Sequence, residues 1–390
     1  MLRQAVVARR IRLAHLFSSD QGIPGSLPYV LPLRDRGWEV TYLTPEGPEV
    51  ARAAAHGYRW LPTHFTRRID PVGDVKGMAE LVRTLVRERF DIVHTHNFKV
   101  SLIGRVLAAA VRVPVVLHTI HGITWALDSP EPKRTANAVL ERLASVRADL
   151  ILAQSRADHD AFVRMNVVPQ EKIRVIGNGT DLSRFDPARI PPGTRERVRA
   201  SMGVRQDEVL AVFAGRMVRE KGLEELYAAS ERVRHAGVRI AVAGRDDAER
   251  GDAPSAASVQ AAERGGVLFL GERRDMPELF HAADIVGLAS WREGMPRVLI
   301  EGAAMGRPLL ATDIRGCREV VLPGETGLLV RVKDPDALAE GLIQLARDTN
   351  ARHHMGNQAR QDALARFDLR RAVDKVTAAY DDLLAGKHIA

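Results

Sequence analysis

The sequence predicts an α/β protein built from two doubly wound, Rossmann-like domains. At 390 residues the chain is too long for one ordinary hydrophobic core, so two domains are expected. Strand-length apolar runs alternate with amphipathic segments of helical length from one end of the chain to the other. This alternation is typical of parallel sheets with crossover helices, because parallel neighbours need a long connection between them.

The first half of the chain contains one complete series of alternating elements. The predicted strands are Ile11–Phe17, Glu39–Leu43, Tyr58–Leu61, Asp91–His94, Val113–Thr119, Leu150–Ala153 and Ile173–Ile176. The predicted helices are Leu27–Arg36, Val75–Arg89, Val100–Val111, Lys133–Val146 and Arg156–Asn166. The order of these elements predicts a doubly wound parallel sheet.

A break rich in glycine, proline and polar residues follows, from Asn178 to Pro187 and again at Pro191-Pro192-Gly193, and it predicts the domain linker. The strands predicted beyond it are Val209–Ala214, Arg239–Ala243, Val267–Leu270, Ile285–Ala289, Pro308–Ala311 and Gly327–Val330. The helices predicted there are Leu223–His235, Met276–His281, Pro296–Met305, Asp336–Arg347, Ala351–Arg366 and Leu369–Leu384. Two such domains are expected to face a central cleft at the carboxyl ends of their strands.

Composition excludes several classes of protein. The chain is 45% hydrophobic and 27% charged, without a repeat or a low-complexity tract, as in globular proteins. The longest apolar runs have strand length, and four arginines interrupt residues 1–16, so neither a membrane span nor a signal peptide is predicted. Cys317 is the only cysteine, which excludes an intrachain disulfide and fits a reducing cytoplasm.

The excess of positive over negative charge lies in the first half of the chain. Residues 1–180 hold 25 of the 57 Lys and Arg but 17 of the 49 Asp and Glu, which accounts for the whole net charge of +8. This favours an acidic partner: an anionic membrane face, a pyrophosphate-linked lipid or nucleic acid. Nucleic acid is the weakest of these, because the basic residues are scattered and no aromatic stacking platform or recognition motif accompanies them. Arginines that are simply solvated explain the same count.

The stretch from Asp284 to Glu301 carries the main functional prediction. A short apolar strand leads through a turn containing Gly294 to a helix with Pro296 at its first position. The first amides of a helix lack intrahelical partners and lie at the positive end of the helix dipole, so they form an anion site. Glu293 precedes the helix and Glu301 lies about five residues into it, so the two acids can meet different parts of an extended ligand such as a nucleotide-sugar. A first-turn Glu favoured by the dipole and a solvated Glu explain the pattern equally well.

Two cations are predicted at the same edge of the second sheet. The segment from Ala214 to Gly222 follows the first strand of the second domain and carries Arg216 and Lys221, which suit a diphosphate. Asn178-Gly179, at the interdomain break, offers either amides and a hinge or an ordinary turn.

These residues together resemble a known family. The run reads Asn178-Gly-x-Asp181, Gly215-Arg216, Glu220-Lys221-Gly222, Gly244-Arg245, Glu293-x7-Glu301, Gly316-x-x-Glu319 and Gly327-Leu-Leu-Val330. It resembles the family 4 retaining glycosyltransferases of GT-B fold, over nearly the whole chain. Members of that family return their last helix to the first domain, which implies a first domain of residues 1–186 with 368–390 and a second of residues 187–367. The stretch from Ala243-Gly-Arg-Asp-Asp247 to Asp275 is similar to bacterial transferases that extend undecaprenyl-diphosphate-linked or cell-surface glycans.

The resemblance also implies roles for the second-domain residues. Arg216 and Lys221 would hold the donor diphosphate, Glu301 the ribose hydroxyls, and Glu293 would lie at the donor sugar. The remaining donor-site residues would surround the sugar and phosphate or border the base, and they are Gly294, Met295, Pro296, Arg297, Arg273 and Asn178.

In the first domain, histidines and a glycine-containing loop carry the prediction. His94 and His96 follow one strand, and His118 and His121 the next; a zinc site is the alternative, but no acidic or Cys partner has suitable spacing, so no metal is predicted. His118-Thr-Ile-His-Gly resembles the family's Thr-x-His-Gly loop, which implies that His121 lies beside the transferring sugar. His118 is expected either to pack in the core or to support His121. The loop with Gly22 and Gly25 resembles the family's acceptor loop without its usual double glycine, which weakens the case for direct contacts by Gly22.

The predicted reaction is a metal-independent transfer without a cofactor, with retention at the anomeric carbon. Because no carboxylate in the first half is placed as a nucleophile, the prediction is a front-face displacement in which the leaving diphosphate takes the acceptor proton. The expected partners are a UDP-sugar and a glycan or polyprenyl-diphosphate acceptor, at the inner face of the cytoplasmic membrane. Three alternatives remain, a UDP-sugar epimerase, a Rossmann-type nucleotide-dependent enzyme and a binding module; the second lacks Gly-x-Gly-x-x-Gly after the first strand.

Overall fold

The computed structural model describes residues 10–65, 70–123, 131–245 and 253–389, and the chain divides into two compact units. The first unit comprises Met1–Gly177 and Arg371–Ala390, and the second comprises Asn178–Arg370. The first division therefore lies nine residues before the predicted boundary at residue 186. The reason is packing: Thr180 pairs with Asp368, and Phe185 is buried in the core of the second unit.

The first unit is built on a seven-stranded parallel sheet. Its strands are β1 (Arg12–Leu16), β2 (Glu39–Thr44), β3 (Arg59–Pro62), β4 (Ile92–His96), β5 (Val115–Ile120), β6 (Leu150–Ala153) and β7 (Ile173–Val175). They lie in the order β3-β2-β1-β4-β5-β6-β7. Every residue of β4, β5 and β6 is buried, as expected for strands covered by helices on both faces.

The described part of the first unit has six α-helices before the linker. They are α1 (Ile23–Asp35), α2 (Val50–Ala55), α3 (Pro71–Glu88), α4 (Phe98–Ala110), α5 (Lys133–Ser145) and α6 (Arg156–Arg164). The sequence had not predicted α2, a single short helix of mostly alanine. Across the described ranges of the chain, no helix combines the length and the apolarity that crossing a bilayer requires.

The second unit repeats the same winding with six parallel strands. These are β8 (Val209–Ala214), β9 (Val238–Ala243), β10 (Leu268–Phe269), β11 (Ile285–Leu288), β12 (Leu309–Thr312) and β13 (Gly327–Val330). They lie in the order β10-β9-β8-β11-β12-β13. In each unit the chain starts near the middle of the sheet, winds to one edge and then returns to the other side. Loops at the carboxyl ends of β1 and β4, and of β8 and β11, therefore flank the switch points where ligands of open α/β sheets bind.

The helices of the second unit include three that the sequence had not predicted. Within the described residues of this unit the α-helices are α7 (Thr194–Ser201), α8 (Leu223–Val233), α9 (Ala256–Arg264), α10 (Met276–Ala282), α11 (Arg297–Ala304), α12 (Arg315–Arg318), α13 (Pro335–Arg347) and α14 (Thr349–Arg366). The unpredicted helices are α7, α9 and α12. A buried ion pair holds α7, because Nη1 of Arg199 lies 2.9 Å from Oδ2 of Asp284.

The last helix, α15 (Leu369–Gly386), contributes its apolar face to the core of the first unit. Val376, Ala379, Tyr380 and Leu384 are buried there. Tyr380 also reaches β4, where its hydroxyl lies 2.6 Å from Nδ1 of His94. The end of the chain is thus tied to the strand that carries two of the predicted site histidines.

Candidate functional site

The turn between β11 and α11 carries the predicted anion site. Pro296 lies immediately before the helix with φ −74° and ψ 110°, so the prediction that it occupies the first helical position was wrong by one residue. Its extended conformation lets its carbonyl accept hydrogen bonds from the amides of Leu299 (3.2 Å) and Ile300 (3.4 Å). The amides of Arg297 and Val298 precede these and have no intrahelical partner, as at any helix start.

The structure brings two predicted donor-site residues into direct contact. Nζ of Lys221 lies 2.5 Å from Oε1 of Glu293, and the Ser290 hydroxyl donates to the same oxygen at 2.6 Å. The two charged side chains are only 18% and 15% exposed. The cation that the sequence assigned to a diphosphate is therefore paired with the acid assigned to the sugar.

Two glycines allow neighbouring segments to close around this turn. A Cβ on Gly316 would lie 2.5 Å from the carbonyl oxygens of both Glu293 and Gly294. Gly222 has φ +69°, and a Cβ there would lie 2.0 Å from the carbonyl oxygen of Ala289. Because real Cβ contacts are not that short, any larger residue at either position must displace the turn.

Arg216 lies in the loop after β8, on the same sheet edge as Lys221. Its Nη2 is 3.3 Å from Oε1 of Glu220, whose other oxygen is 2.6 Å from Nη2 of Arg292. The backbone amide of Trp291 also donates to the carbonyl of Glu220, at 2.9 Å. The loop after β8 and the loop after β11 are thus joined by both charge pairs and main-chain bonds.

Glu301 lies in the second turn of α11 and is largely buried. Oε1 of Glu301 is 3.6 Å from Nη2 of Arg297, one helical turn earlier. Burial raises the pKa of Glu301 above its ordinary value, and the charges of Arg297 and Arg184 partly offset that effect. It lies about 6 Å along the helix axis from Arg297, so it is placed to meet a different part of a ligand from the first-turn amides.

Asn178 fastens the start of the second unit to the donor turn. Its Nδ2 donates to the carbonyl of Met295 at 3.1 Å, while its Oδ1 accepts from the amide of Gly179 at 2.9 Å. Arg273, which follows β10, forms two hydrogen bonds to Asp275, at 2.7 and 2.5 Å. In the neighbouring stretch that the sequence related to lipid-linked transferases, residues 246 and 247 lie outside the described residues.

In the first unit, a row of hydrogen-bonded imidazoles runs from β1 to the end of β5. Nδ1 of His15 lies 2.9 Å from Nε2 of His96, and Nδ1 of His96 lies 2.9 Å from Nε2 of His121. We call His15, His96 and His121 the imidazole row. Phe17 stacks on the ring of His96, with a centroid distance of 4.1 Å. Sequence reasoning missed His15, although it pairs in register with His94 on the neighbouring strand β4.

The two other histidines are held by their own partners. His94 meets the hydroxyls of Tyr380 at 2.6 Å and Thr119 at 2.7 Å, one at each ring nitrogen. Nδ1 of His118 donates to the carbonyl of Thr95 at 3.0 Å. Burial lowers the pKa of His15 to about 3, and it lowers the pKa of His94, His96 and His118 well below the ordinary value. These imidazoles are therefore neutral at neutral pH.

Among the described residues, His15, His94 and His96 have ring nitrogens close enough together to suggest a metal site. The ring geometry does not suit one. His94 and His96 stack with centroids 4.3 Å apart, so their in-plane lone pairs do not converge on one point, and both nitrogens of His94 are hydrogen-bonded. That the reaction needs no metal and no cofactor stays a prediction.

Of the residues that the sequence assigned to the acceptor side, Gly22 and Gly25 follow β1, His96 is the last residue of β4, and His118 lies within β5. Gly22 ends a short 3₁₀ turn, donates its amide to the carbonyl of Ser19 at 3.3 Å and lies against the ring of Phe17. Gly25 lies in the first turn of α1 with open space around it. His121 is exposed directly after β5, and a hydrogen bond with Gln154 adds to its bond with His96. The ring of His121 is thus held in place from within the first unit.

Two family models match the chain, one on each unit. Residues 28–179 match the model described as "Glycosyl transferase 4-like domain", and residues 194–362 match "Glycosyl transferases group 1". The D-inositol 3-phosphate glycosyltransferase of Xylanimonas cellulosilytica is 32% identical over 311 residues, covering 76% of this chain and 72% of that protein. The UDP-Gal:alpha-D-GlcNAc-diphosphoundecaprenol alpha-1,3-galactosyltransferase of Escherichia coli is 26% identical over 331 residues, covering 84% of each chain.

A solved structure shows the same fold. Anabaena Alr3699/HepE, in its complex with UDP and glucose, superposes with a TM-score of 0.78 at 21% identity, covering 96% of this chain and all of that one. Its fold and the strand orders described above agree with the predicted GT-B architecture of two Rossmann-like domains. With a family model on each unit and a relative of 32% identity, the chain belongs to the group 1 glycosyl transferases and is a glycosyltransferase of GT-B fold.

Proposed function

We propose that this protein transfers a sugar from a UDP-sugar to a hydroxyl of a lipid-linked or cell-surface glycan, with retention at the anomeric carbon and without a metal. The observation that carries the proposal is the cluster of Lys221, Glu293 and the first turn of α11 at the switch point of the second sheet. It combines a half-buried cation, an acid and the first amides of a helix, which are the groups that a sugar diphosphate needs.

In this proposal the donor diphosphate replaces carboxylates as the partner of the cations. Lys221 exchanges Glu293 for a phosphate oxygen, and Arg216 exchanges Glu220 in the same way. Glu293 is then released to accept hydrogen bonds from the sugar hydroxyls, while Glu301 binds the ribose. UDP is favoured because the Escherichia coli relative is a UDP-Gal-dependent galactosyltransferase and the Anabaena structure is a complex with UDP and glucose.

The proposed chemistry is a single front-face displacement. The bond between the anomeric carbon and the diphosphate oxygen breaks while the acceptor oxygen bonds to that carbon from the same side. The acceptor's proton passes to the departing diphosphate, whose growing charge Lys221, Arg216 and the α11 amides stabilise. On the first unit, the resemblance assigns His121 to the transferring sugar and the loop around Gly22 and Gly25 to the acceptor.

The relatives act on two different classes of acceptor. The Escherichia coli relative is named for a diphosphoundecaprenol acceptor, and the Xylanimonas relative for D-inositol 3-phosphate, a soluble polyol phosphate. The excess positive charge of residues 1–180 supports the lipid-linked class, since an anionic membrane face would attract this half of the chain. The proposal therefore includes peripheral contact with the inner face of the cytoplasmic membrane.

The other functions that the sequence left open are not favoured. A UDP-sugar epimerase consumes no acceptor, and a Rossmann-type oxidoreductase or a binding module transfers no sugar. The glycosyl transferase models on both units and the 32% identical glycosyltransferase support transfer instead.

The test begins with a thermal-shift panel of UDP, GDP, ADP and NAD on the purified chain. UDP at a hundredfold excess over its dissociation constant is expected to add about 2.7 kcal/mol of stability. UDP-sugars are then incubated with a short-chain polyprenyl-diphosphate-linked GlcNAc or with inositol 3-phosphate, with and without EDTA. Stabilisation by NAD alone, an inverted product by NMR, or loss of transfer in EDTA contradicts the corresponding part of the proposal.

A further inference from the structure

Helix α5 has its polarity reversed relative to an ordinary surface helix. The residues that it turns toward the protein and buries are Glu141, Ala144 and Ser145. The large apolar residues are on its solvent side, where the exposed fractions are 50% for Val139, 48% for Leu140, 62% for Leu143 and 63% for Val146. Surface helices of globular proteins normally show the opposite arrangement.

A buried ion pair explains how α5 stays attached without using its apolar face. Arg105 of the neighbouring helix α4 is fully buried, and its Nη2 lies 2.5 Å from Oε2 of Glu141. Its Nη1 donates to the Ser145 hydroxyl at 2.8 Å, and its Nε donates to the carbonyl of Ser101 at 3.0 Å. Because these polar contacts anchor the helix, its four large apolar side chains are not needed to hold it in place.

The exposed apolar residues of α5 lie on one side of the helix, and α4 adds one more exposed apolar residue. Val139, Leu143 and Val146 are spaced at i, i+4 and i+7, which places them along one line of the helix, with Leu140 beside them. On α4, Val106 is exposed next to the buried Arg105. We call these five residues the α5 strip. Single exposed apolar residues are ordinary, but a contiguous group of this size marks an interaction surface.

Basic residues surround the α5 strip. Lys133, Arg142 and Arg147 are exposed on the helix and just beyond its end. Nζ of Lys172 lies at that end as well, 3.5 Å from the carbonyl oxygen of Val146 and 3.3 Å from that of Ala148.

Three acids of the described residues near the α5 strip are paired with cations, which reduces their effect on this charge. Glu141 pairs with Arg105, Asp149 with Lys387 at 2.9 Å, and Glu131 with Arg134 at 2.6 Å. The rim of the α5 strip is therefore positive.

We propose that the α5 strip inserts into the interfacial layer of an anionic phospholipid leaflet. Apolar residues flanked by Lys and Arg match a surface that is hydrocarbon inside and negative at its headgroups. A second copy of the chain fits less well, since a symmetric contact would set the basic rims against each other. The inference rests on the proposed function in one respect: a lipid-linked acceptor gives the enzyme a reason to be at the membrane.

The first experiment is co-sedimentation of the full chain with two kinds of vesicle, one of phosphatidylcholine and one containing roughly one third phosphatidylglycerol. The protein is expected to bind the anionic vesicles, and binding is expected to weaken when salt rises from about 0.05 M to about 0.5 M. Equal binding to both vesicles, or none to either, overturns the proposal without any variant being made.

Variants then locate the surface. Leu143→Ser with Val146→Ser is expected to lower the partition coefficient about tenfold or more, and Arg142→Gln with Arg147→Gln about fivefold per arginine replaced. The matched controls in the second unit are Leu364→Ser, at a residue that is 45% exposed, and Arg331→Gln, at an exposed arginine paired with Asp334; both are expected to bind like the parent. Unchanged binding by the α5 variants overturns the proposal. So does a concentration-dependent dimer that the serine variant abolishes, because it assigns the strip to a second copy.

Activity measurements separate this inference from the proposed function. With a short-chain acceptor free in solution, the α5 variants are expected to keep the parent kcat/KM, whereas with acceptor in anionic vesicles they are expected to lose rate in proportion to lost binding. Vesicle binding without transfer to any lipid-linked acceptor keeps the α5 surface and refutes the proposed acceptor. Transfer that is equally fast for parent and variants on vesicles keeps the acceptor and refutes the surface.

Discussion

The donor turn of the second unit and the imidazole row of the first unit occupy corresponding places in sheets of the same winding. Their polar groups differ in charge, in exposure and in the kind of partner they bond to. In the donor turn the groups are charged, partly exposed and paired with each other, as Lys221 is with Glu293. In the imidazole row, His15 and His96 are neutral and buried, and they bond to further imidazoles. Charged groups that pair at an accessible edge can exchange partners with a ligand, whereas buried neutral groups lose stability if their bonds break.

The largest expected effect on activity comes from the loss of Lys221. It tests whether the charged pair of the donor turn exchanges partners with a ligand. Lys221→Ala is expected to lower kcat/KM for the UDP-sugar by roughly 10²–10³, because one preorganised cation at the leaving diphosphate is lost. Arg219→Ala is the matched control, since Arg219 is a more exposed cation in the same short turn and pairs with Glu224. A change of less than about threefold on Lys221→Ala, relative to that control, would remove Lys221 from the proposed site.

Breaking the imidazole row is expected to lower the stability of the folded protein. His96→Leu leaves Nδ1 of His15 buried without its partner and removes the stacking against Phe17, so the free energy of unfolding is expected to fall by about 2–3 kcal/mol. Urea denaturation measures this. His121→Ala is the comparison, because that side chain is exposed and its removal is expected to cost less. An equal fall in the free energy of unfolding for the two variants would show that the buried bonds of His96 do not stabilise the fold more than the exposed end of the row does.

Gly316→Ala tests whether the donor turn depends on close backbone approach. The added methyl group would meet the carbonyls of Glu293 and Gly294, so the turn must shift, at an expected cost of about 1–2 kcal/mol in stability together with weaker UDP binding. Gly25→Ala is the control in the first unit, where no atom lies within 4 Å and the helical position tolerates alanine. Calorimetric titration with UDP would refute the close-approach account if both variants bound like the parent.

The buried histidines also make the stability of the protein depend on pH. Their pKa values are lowered in the folded state, so below the unfolded value of about 6.5 only the unfolded chain takes up these protons. Stability that is fully present above pH 6.5 is therefore lost as the pH falls, and for His15 the loss continues to its folded pKa of about 3. Each such histidine contributes about 1.4 kcal/mol per pH unit. Urea midpoints that stay constant from pH 7.5 to pH 5 would contradict the neutral, buried state.

Strand and motif predictions succeeded where local pattern was sufficient. Apolar runs predicted Val209–Ala214, Leu150–Ala153 and Gly327–Val330 with the bounds that the structure has. The first two are largely or fully buried, and a parallel strand covered on both faces is apolar on both. The contact of Lys221 with Glu293 joins two motifs that the sequence had placed at one sheet edge. The roles of these residues in binding and catalysis remain predictions.

Long-range pairing explains what local pattern missed. Helix α7 has little apolar pattern and is held by the ion pair between Arg199 and Asp284, 85 residues apart. The first segment of the first unit ends at Gly177, nine residues before the predicted boundary, because Thr180 pairs with Asp368 of the second unit. Such long-range contacts do not change the spacing of apolar residues in the segment that they stabilise, so the sequence pattern does not reveal them.

By itself the sequence determined the α/β class, the parallel winding and the family, because apolar periodicity and short motifs are local properties of the chain. Only the tertiary structure decided that His15 belongs to the imidazole row and that Lys221 pairs with Glu293. It also decided that α5 turns its apolar side outward, since the buried Arg105 of another helix takes the inner position with Glu141. The physical reason is that the partner of a charged or polar group is chosen by the packing of distant segments, which amphipathic pattern alone does not specify.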